Sequence, residues 1–373
     1  MNLLVYVPQM APFGGMERHV CGLAGALAGR GHRVTVLTTS NSLGPDFRQS
    51  LAAHGVALRE LPRRRGRARA WLKAAWLLRE VRRARAERWD LIYTNGQSGL
   101  AMVAWLAGRK GTRVVHHHHT AADAGEQATW SRLFRRVLQR APELVACSGA
   151  TREALARALR RDDVRFLPYL TACPLQAAEV RERRYEDAAP LQFGFTGRLV
   201  AEKGIDLLCA LSTRAEFSGI RWHVHGTGPA YPPEFFRAYP TVTYHGAYAG
   251  PAAHAEALQR LDGLVLLSRH NEGMPLSLIE GMSAGLPWLA TDRGGTREIA
   301  VSPANCVIVE PSEDPARLAA GVRELEGRLR AGRTSRREQR QAYDRVFAPD
   351  AVARTWFAFF ENRPGAAGGV PSA

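Results

Sequence analysis

One stretch, residues 264–299, constrains the fold of this chain more than any other. The run 264–268 (LVLLS) is short and apolar, as the buried strands of parallel sheets are. A polar turn follows, and Pro275 then precedes a helix predicted over 276–284. A second apolar run, 288–291, predicts another strand. Strand, helix and strand in this order are the unit of a parallel α/β sheet.

Two acids in this unit predict a ligand. Glu272 lies in the turn before the helix, and Glu280 lies eight positions further on. Open α/β sheets bind ligands beyond the carboxyl ends of their strands, and the first N–H groups of a helix attract anions there. The N–H groups predicted to hold a phosphate are those of Gly273, Met274, Leu276 and Ser277.

The positions of the two acids predict what is attached to that phosphate. Glu272 would reach a group bound to it, and Glu280, which lies deeper, would accept hydrogen bonds from a diol. A nucleotide sugar has this layout of sugar, diphosphate and ribose. The alternative is that Glu272 caps the helix and Glu280 is an ordinary acid on its surface.

The same residues resemble a known family. Glu272 and Glu280 match the Glu-x7-Glu motif of retaining GT-B glycosyltransferases of the family-4 type. The match continues through residues 281–287 (GMSAGLP) and 292–299 (DRGGTREI). The resemblance implies an α/β protein with the GT-B fold, in which two facing Rossmann-like doubly wound domains have the active site in their cleft.

The length of 373 residues suggests two domains, and the resemblance assigns their bounds. Polar residues and prolines between the two sheet regions predict a linker. The Gly/Pro/Ala-rich end of the chain predicts disorder. The segments are an acceptor-side domain 1–170, a linker 171–190, a nucleotide-sugar domain 191–345, a C-terminal helix 346–361 that returns to the first domain, and a disordered tail 362–373.

Gly14 and Gly15 follow the first predicted strand and open a helix. From the residues alone, a plain strand-to-helix turn and a ligand loop explain them equally well. The chain lacks GxGxxG, so an ordinary dinucleotide fingerprint is not supported. The resemblance implies that this loop lies beside the donor phosphates and the acceptor.

A block of four histidines ends the strand predicted over 113–120. Alternation places His116 and His118 on one face and His117 and His119 on the other. Because neighbouring side chains point apart, the block predicts no metal site. The resemblance implies one functional histidine at the end of this strand, facing the donor sugar and the acceptor. His118 and His119 both fit that position.

Arg198 and Lys203, five positions apart after a predicted strand, make a sensible clamp for a diphosphate. A solvated surface pair is the alternative. The resemblance assigns them to the diphosphate, and it places the turn at Gly226 near the nucleobase.

The net charge of +16 predicts an anionic partner. Residues 63–88 hold eleven Arg or Lys and two Glu, and the spacing predicts that Trp71, Leu72 and Trp76 share one helical face. This pattern favours binding to an anionic membrane surface. It is equally typical of an ordinary helix whose tryptophans pack inward.

The cysteines and the amino-terminal residues indicate the compartment. Five scattered cysteines without a CxxC pair predict a reducing cytoplasm. The start of the chain is too short and lacks the basic leader of a signal peptide, and no run is apolar enough to span a membrane. We therefore expect a cytoplasmic protein, peripheral on the inner face of the cytoplasmic membrane.

The resulting prediction is a retaining, metal-independent hexosyltransferase that needs no cofactor beyond its nucleotide-sugar substrate. Arg198 and Lys203 would hold the diphosphate, Glu272 the sugar hydroxyls and Glu280 the ribose. The acceptor would be a lipid-linked or envelope glycan. The alternatives are a nucleotide-sugar-binding protein without transferase activity, and a basic nucleic-acid-binding protein. The second is not expected, because it requires neither Glu272 nor Glu280.

Overall fold

The computed structural model describes residues 1–8, 10, 14–39, 44–61, 70–185 and 189–361. The tail predicted to be disordered, 362–373, and the arginines at 63–69 lie outside these residues. The chain divides into two compact units. The first comprises residues 1–171 and the chain from Pro349 onward, and the second comprises Ala172–Ala348.

The described part of the first unit contains a parallel sheet of seven strands in the order β3-β2-β1-β4-β5-β6-β7. The strands are β1 (Asn2–Val7), β2 (Arg33–Thr38), β3 (Ala57–Glu60), β4 (Leu91–Asn95), β5 (Arg113–His118), β6 (Glu143–Ala146) and β7 (Val164–Phe166). The helices are α1 (Gly15–Gly29), α2 (Pro45–Ala53), α3 (Ala70–Ala84), α4 (Ala101–Trp105), α5 (Ala124–Thr129), α6 (Arg132–Arg140) and α7 (Gly149–Leu159).

Side-chain alternation along these strands divides the core of the first unit into two layers. Leu3 and Val5 of β1 pack in the layer that also contains α1, whereas Leu4 and Tyr6 pack in the layer that contains α3, α4 and α6. Helices cover both faces, which explains the near-continuous apolar character of the strands.

The second unit contains a parallel sheet of six described strands in the order β10-β9-β8-β11-β12-β13. The strands are β8 (Leu191–Thr196), β9 (Ile220–His225), β10 (Val242–Gly246), β11 (Gly263–Leu266), β12 (Trp288–Thr291) and β13 (Cys306–Val309). The helices are α8 (Ile205–Ser212), α9 (Gly250–Arg260), α10 (Leu276–Ser283), α11 (Pro315–Arg330) and α12 (Arg336–Val346).

A last helix, α13 (Pro349–Glu361), packs in the first unit although it ends the described chain. Trp356, Phe359 and Phe360 are buried in the α1 layer of the core. The indole N–H of Trp356 donates to the carbonyl of Pro168 at 2.8 Å. Aromatic burial therefore holds this helix in the first unit.

Residues 172–185 are tied to the second unit. Arg183 pairs with Asp262 at 2.7 Å, and the hydroxyl of Ser335 donates to Glu182 at 2.6 Å. Arg340 donates to the carbonyl of Leu175 at 2.7 Å. These polar contacts hold the segment against the second unit, whereas its composition predicts a linker.

Candidate active site

Two loops meet at the carboxyl edge of the second sheet, where the neighbouring strands β8 and β11 end. Gly204 adopts a left-handed conformation with φ of +63°, and a Cβ atom there would lie 2.1 Å from the carbonyl oxygen of Leu267. The N–H of Arg269 donates to the carbonyl of Glu202 at 2.8 Å. Only glycine allows so close an approach, so this residue brings the two loops together.

This approach joins the two motifs that the sequence singles out. The ammonium of Lys203 donates to Oε1 of Glu272 at 2.6 Å, and the hydroxyl of Ser268 donates to the same oxygen. The Glu272 side chain is only 6% exposed and that of Lys203 17%. A buried, charge-assisted pair therefore lies beyond the ends of the strands.

The backbone of Glu272 is held by the glycines of the next loop. Glu272 forms a parallel bridge with Gly294, and the N–H of Gly295 donates to the carbonyl of Glu272 at 2.8 Å. Gly294 has φ of +57°, and a Cβ atom there would lie 2.2 Å from that carbonyl oxygen. This glycine loop leads into a single 3₁₀ turn, Arg297–Ile299.

The surroundings of Glu272 favour its charged form. Burial alone would raise the pKa of this carboxyl, but the Lys203 ammonium, with His270 and Ser268, outweighs it and lowers the pKa below the ordinary value. Glu272 is therefore a carboxylate at neutral pH, able to accept hydrogen bonds from hydroxyl groups.

The start of α10 lies directly after this carboxylate. The N–H groups of Gly273, Met274, Leu276 and Ser277 donate no backbone hydrogen bond within the described chain. Pro275 occupies the N-cap position rather than the first helical position. The amide dipoles and unused N–H groups at this end of the helix favour an anion.

Glu280 lies inside the second unit. Its carboxylate is 4% exposed, and Oε2 lies 3.7 Å from Nε2 of His254. The His254 ring stacks on Tyr248 at 4.2 Å. The hypothesis of an ordinary surface acid is therefore wrong for Glu280, since a buried carboxylate needs partners.

The loops that carry Arg198 and Gly226 pack backbone to backbone. Gly226 has φ of +138°, and a Cβ atom there would lie 1.8 Å from the carbonyl oxygen of Gly197. The N–H of Leu199 donates to the carbonyl of Thr227 at 3.0 Å. Arg198 itself is exposed, and its guanidinium has no partner among the residues that the structure describes. It is thus free to bind an anion.

A second ion pair, which the sequence did not reveal, connects the loop after β11 to the segment that follows β8. Arg269 donates to both carboxylate oxygens of Asp206, at 2.6 and 2.7 Å, and to Glu313 at 2.8 Å. It also donates to the carbonyl of Ala201, so it fixes the loop before Lys203. The position of Arg269, three residues before Glu272, was the available signal. Its partner Asp206 is distant in sequence and could not be predicted from local patterns.

The histidine block of the first unit alternates as predicted. His118 packs with His116 in the α6 layer, where it stacks on Phe134 at 5.9 Å. Its Nε2 lies 2.9 Å from Oε1 of Glu126, and the side chain is fully buried. Burial alone would raise the pKa of Glu126, but hydrogen bonds from His118, Thr120 and Trp130 lower it to about 2.

His119 leaves the end of β5 and keeps part of its surface exposed. Its Nδ1 lies 2.8 Å from the hydroxyl of Tyr169, and its Nε2 lies 2.8 Å from Oδ1 of Asn95. The Tyr169 ring stacks on the imidazole at 5.3 Å, nearly parallel to it. Both ring nitrogens are thus positioned by neighbours, and a ligand hydroxyl must displace Asn95 to reach Nε2.

A buried polar network lies beneath His119. The hydroxyl of Tyr93 lies 2.6 Å from Nδ1 of His117 and 3.1 Å from Nε2 of His19. The N–H of Leu170 donates to the other ring nitrogen of His19 at 2.9 Å. Burial lowers the pKa of His19 to about 3, so this imidazole is neutral at physiological pH.

The glycine turn of the first unit precedes α1. Gly14 is the N-cap residue with an extended backbone, and Gly15 is the first helical residue. A Cβ atom on Gly14 would lie 1.8 Å from a carboxylate oxygen of Glu17, so this position excludes other residues unless Glu17 moves.

Among the described residues no group of three His, Cys, Asp or Glu side chains is arranged to hold a metal ion. Within the same part of the chain, no helix is both long enough and apolar enough to cross a membrane.

Two units, each with a parallel sheet between helices, are the components of the GT-B fold. Residues 13–169 match the family model Glycosyltransferase Family 4, and residues 190–327 match the model Glycosyl transferases group 1. The chain belongs to this family of GT-B glycosyltransferases.

Individual relatives agree with this assignment. A GDP-mannose-dependent alpha-mannosyltransferase of Mycobacterium tuberculosis is 30% identical over 234 residues, which span 62% of this chain and 57% of that protein. The structure of Anabaena HepE in complex with UDP superposes with a TM-score of 0.74 at 16% identity, covering 97% of this chain and all of the other.

A glycosyltransferase from Rickettsia africae is also similar in structure. Its TM-score is 0.73 at 16% identity, with 96% of this chain and 97% of that chain covered. At such identities the two solved structures support the fold alone.

Proposed function

We propose that the protein is a retaining glycosyltransferase that moves a sugar from a nucleotide-sugar donor to an acceptor hydroxyl. The observation that carries the proposal is the contact of Lys203 with Glu272 at 2.6 Å. It brings a phosphate-binding cation and a hydroxyl-binding carboxylate together at the end of a helix, as a sugar diphosphate requires.

Each donor group has a proposed partner in the second unit. Arg198 and Lys203 bind the diphosphate together with the N–H groups at the start of α10. Glu272 binds the sugar hydroxyls, Glu280 binds the ribose diol, and the turn at Gly226 lies by the nucleobase. When the diphosphate binds, Lys203 turns toward it and releases Glu272 for the sugar.

Of the two histidines, His119 is the better candidate for contact with the sugar or the acceptor. His118 is fully buried and pairs with Glu126, whereas His119 is partly exposed at the end of its strand. The glycine turn at Gly14 and Gly15 is proposed to lie beside the phosphates.

The proposed chemistry needs neither an enzyme nucleophile nor a metal. The leaving diphosphate gains negative charge as the glycosidic bond breaks, and fixed cations and N–H groups stabilise it without reorganisation. Positioning of the acceptor hydroxyl supplies the remaining part of the rate enhancement.

A screen of nucleotide sugars tests this proposal. GDP-mannose comes first, because the mannosyltransferase relative uses it, and UDP-glucose follows. Thermal shift identifies the bound donor, turnover with an acceptor establishes transfer, and the anomeric proton coupling of the product reports retention. Full activity in EDTA is expected. Binding without transfer or hydrolysis would favour a donor-binding protein without transferase activity.

Salt-dependent binding to DNA without binding of any nucleotide sugar would instead favour a nucleic-acid-binding protein. No observation on the described residues supports that alternative specifically.

We also propose that the acceptor is a lipid-linked or envelope glycan, reached from the inner face of the cytoplasmic membrane. Trp71 is 62% exposed, and Leu106 and Leu133 are about half exposed, at 53% and 48%. Helices α3, α4 and α6, which carry or adjoin these residues, cover the same face of the first sheet. Apolar side chains beside surface arginines favour an anionic membrane.

The two tryptophans predicted to share a face do not do so. Trp76 is buried in the core at 9% exposure, whereas Trp71 points outward. Trp76 therefore fits the hypothesis of an ordinary helix whose tryptophans pack inward. Trp71 fits the hypothesis of membrane binding, because it is available to a bilayer.

A further inference from the structure

A pocket lies on the face of the sheet in the second unit, apart from the proposed donor site. Its volume is about 340 Å³, and neither Lys203 nor Glu272 lines it. Its lining residues come from β8, β9, β10, the end of α9 and the segment before β8. They are Arg183, Gln192, His223, His225, His245, Arg260 and Leu261, and we call this site the imidazole pocket.

Three imidazoles form the wall of this pocket. Nδ1 of His223 lies 3.0 Å from Nε2 of His245, and the ring of His225 stacks on His245 at 4.2 Å and 4°. Nε2 of His223 lies 2.8 Å from Oε1 of Gln192, which makes that nitrogen the N–H donor. His225 has no hydrogen-bond partner within the described chain, so its ring nitrogens are available to a ligand.

The charged side chains that line the pocket are both arginines. No carboxylate lines it among the described residues. Asp262 is shared between Arg183 at 2.7 Å and Arg336 at 3.3 Å, and Arg260 pairs with Glu256. Two guanidinium groups, those of Arg183 and Arg260, therefore line the pocket, while their carboxylate partners lie outside the lining.

The environment of the pocket lowers the pKa of all three imidazoles. Burial, His245 and His223, and then His254 and Arg260, lower the pKa of His225 to about 4. Burial and Arg260 also lower the pKa of His245. Burial, His245 and Arg260 lower the pKa of His223, and Asp262 opposes them only partly. Burial is the largest cause, and repulsion from neighbouring histidines and Arg260 adds to it; a bound anion would offset that repulsion.

We propose that the imidazole pocket is a second binding site, which takes a phosphate group between its arginines and its three histidines. Guanidinium and imidazolium groups both donate charge-assisted hydrogen bonds to phosphate oxygens. A pocket of this volume accommodates a small phosphorylated molecule. The site uses residues of the second unit that the donor proposal leaves unused.

The proposed linkage gives a definite pH dependence. A bound phosphate favours the protonated imidazoles and raises their pKa values, so binding takes up protons. For a given ionic form of phosphate, affinity therefore increases as the pH falls toward the ordinary histidine pKa of about 6.5.

Inorganic phosphate is the probe, titrated into the full chain at constant ionic strength with chloride as the reference anion. NMR of the histidine Cε1–H signals should show saturable shifts at three histidines and a rise in their pKa values. Calorimetry in two buffers of different ionisation enthalpy should report proton uptake. A shift that fails to saturate, or is equal with chloride, overturns the proposal.

Variants separate this site from the donor site. His223→Gln with His245→Gln, and separately Arg260→Gln, should each weaken phosphate binding by about tenfold or more. Arg221→Gln removes an exposed charge from the same strand outside the pocket and should leave affinity unchanged. Arg198→Ala, an exposed substitution in the proposed donor site, should also leave the histidine shifts intact. Loss of binding in Arg198→Ala alone would place the phosphate at the donor site and overturn the proposal.

The wild-type titration keeps the test valid if a pocket variant folds poorly, because it needs no substitution. Saturable binding of Zn²⁺ to the three histidines without any phosphate response would identify a metal site and also overturn the proposal.

Discussion

Lys203 and Glu272, 69 positions apart in sequence, are joined by a 2.6 Å contact between Nζ and Oε1 in the second unit. The pair links the loop after β8 to the loop after β11. A buried carboxylate left without its cation is costly, so the two side chains depend on each other. The same cation is the one proposed to bind the diphosphate.

The first prediction separates the contribution of this pair to stability from its proposed role in donor binding. Lys203→Met should weaken donor binding and lower stability, since it leaves Glu272 buried and uncompensated at a cost of about 3–5 kcal/mol. Lys203→Met with Glu272→Gln should recover much of that stability but no activity. Urea unfolding and donor titration measure the two effects, with the exposed Lys110→Met as the control.

Arg198→Ala provides a cleaner test of the diphosphate clamp. Because Arg198 is exposed and has no described partner, its removal should leave the unfolding midpoint unchanged. Donor affinity should fall by about tenfold or more, with a larger loss in turnover. Wild-type kinetics in this variant would remove Arg198 from the site.

The two acids are predicted to differ in kinetic effect. Glu280→Gln should mainly raise KM for the donor, since the ribose is bound equally in ground and transition states. Glu272→Gln should lower kcat more, since it touches the reacting sugar. Steady-state kinetics distinguish them, and the exposed Glu234→Gln is the control. Equal, negligible effects of both substitutions would contradict the assignment.

Tyr169→Phe is predicted to loosen His119 without removing it. The substitution deletes the hydroxyl that lies 2.8 Å from Nδ1 but keeps the stacked ring. We expect kcat to fall by about ten- to a hundredfold with little change in KM for the donor, because misplacement affects the transfer step. Tyr239→Phe is the control. Full activity in both Tyr169→Phe and His119→Asn would exclude a role for this imidazole.

The buried histidines predict a loss of stability in weak acid. Burial lowers the pKa of His19 to about 3, and burial with His118 does the same for His116, against an unfolded value of about 6.5. The unfolded chain therefore binds more protons between these values. The stabilisation is complete above about pH 6.5 and is lost as the pH falls toward 3.

Urea unfolding at about pH 6.5 and about pH 5 measures this effect, in a range where unfolded carboxylates near pKa 4 contribute little. His116→Gln should reduce the slope of unfolding free energy against pH by up to about 1.4 kcal/mol per pH unit. The exposed Lys110→Met should leave the slope unchanged, because lysine does not titrate in this range. A slope that is the same in wild type and His116→Gln would contradict the prediction.

Membrane association is tested by co-sedimentation with vesicles. Binding should require anionic lipid, weaken with salt, and drop when Trp71 becomes Ser or when Arg64, Arg65, Arg67 and Arg69 become Ser. Those four arginines lie outside the described residues. Four exposed arginines of the second unit, Arg181, Arg184, Arg221 and Arg237, provide a matched control. Equal partitioning onto neutral and anionic vesicles would favour a soluble acceptor.

Apolar periodicity predicted the strand–helix–strand unit at 264–299, which is present close to its predicted bounds because buried parallel strands and helices leave strong local patterns. The arrangement of two Rossmann-like domains came from the resemblance to the glycosyltransferase family. Helices α2 and α5 were missed, since they are short and polar. The last turn of the motif is 3₁₀ rather than α-helical, because its glycines pack on the backbone of Glu272.

The sequence by itself determined the motif residues and their spacing, and hence the family to which the chain belongs. It could not determine which charges meet. Lys203 reaches Glu272 only because Gly204 lets two distant loops touch, and His119 rather than His118 keeps an exposed surface only because the sheet directs alternate side chains into different layers. Pairing between distant residues depends on backbone packing and burial, which local patterns do not encode and the tertiary structure decides.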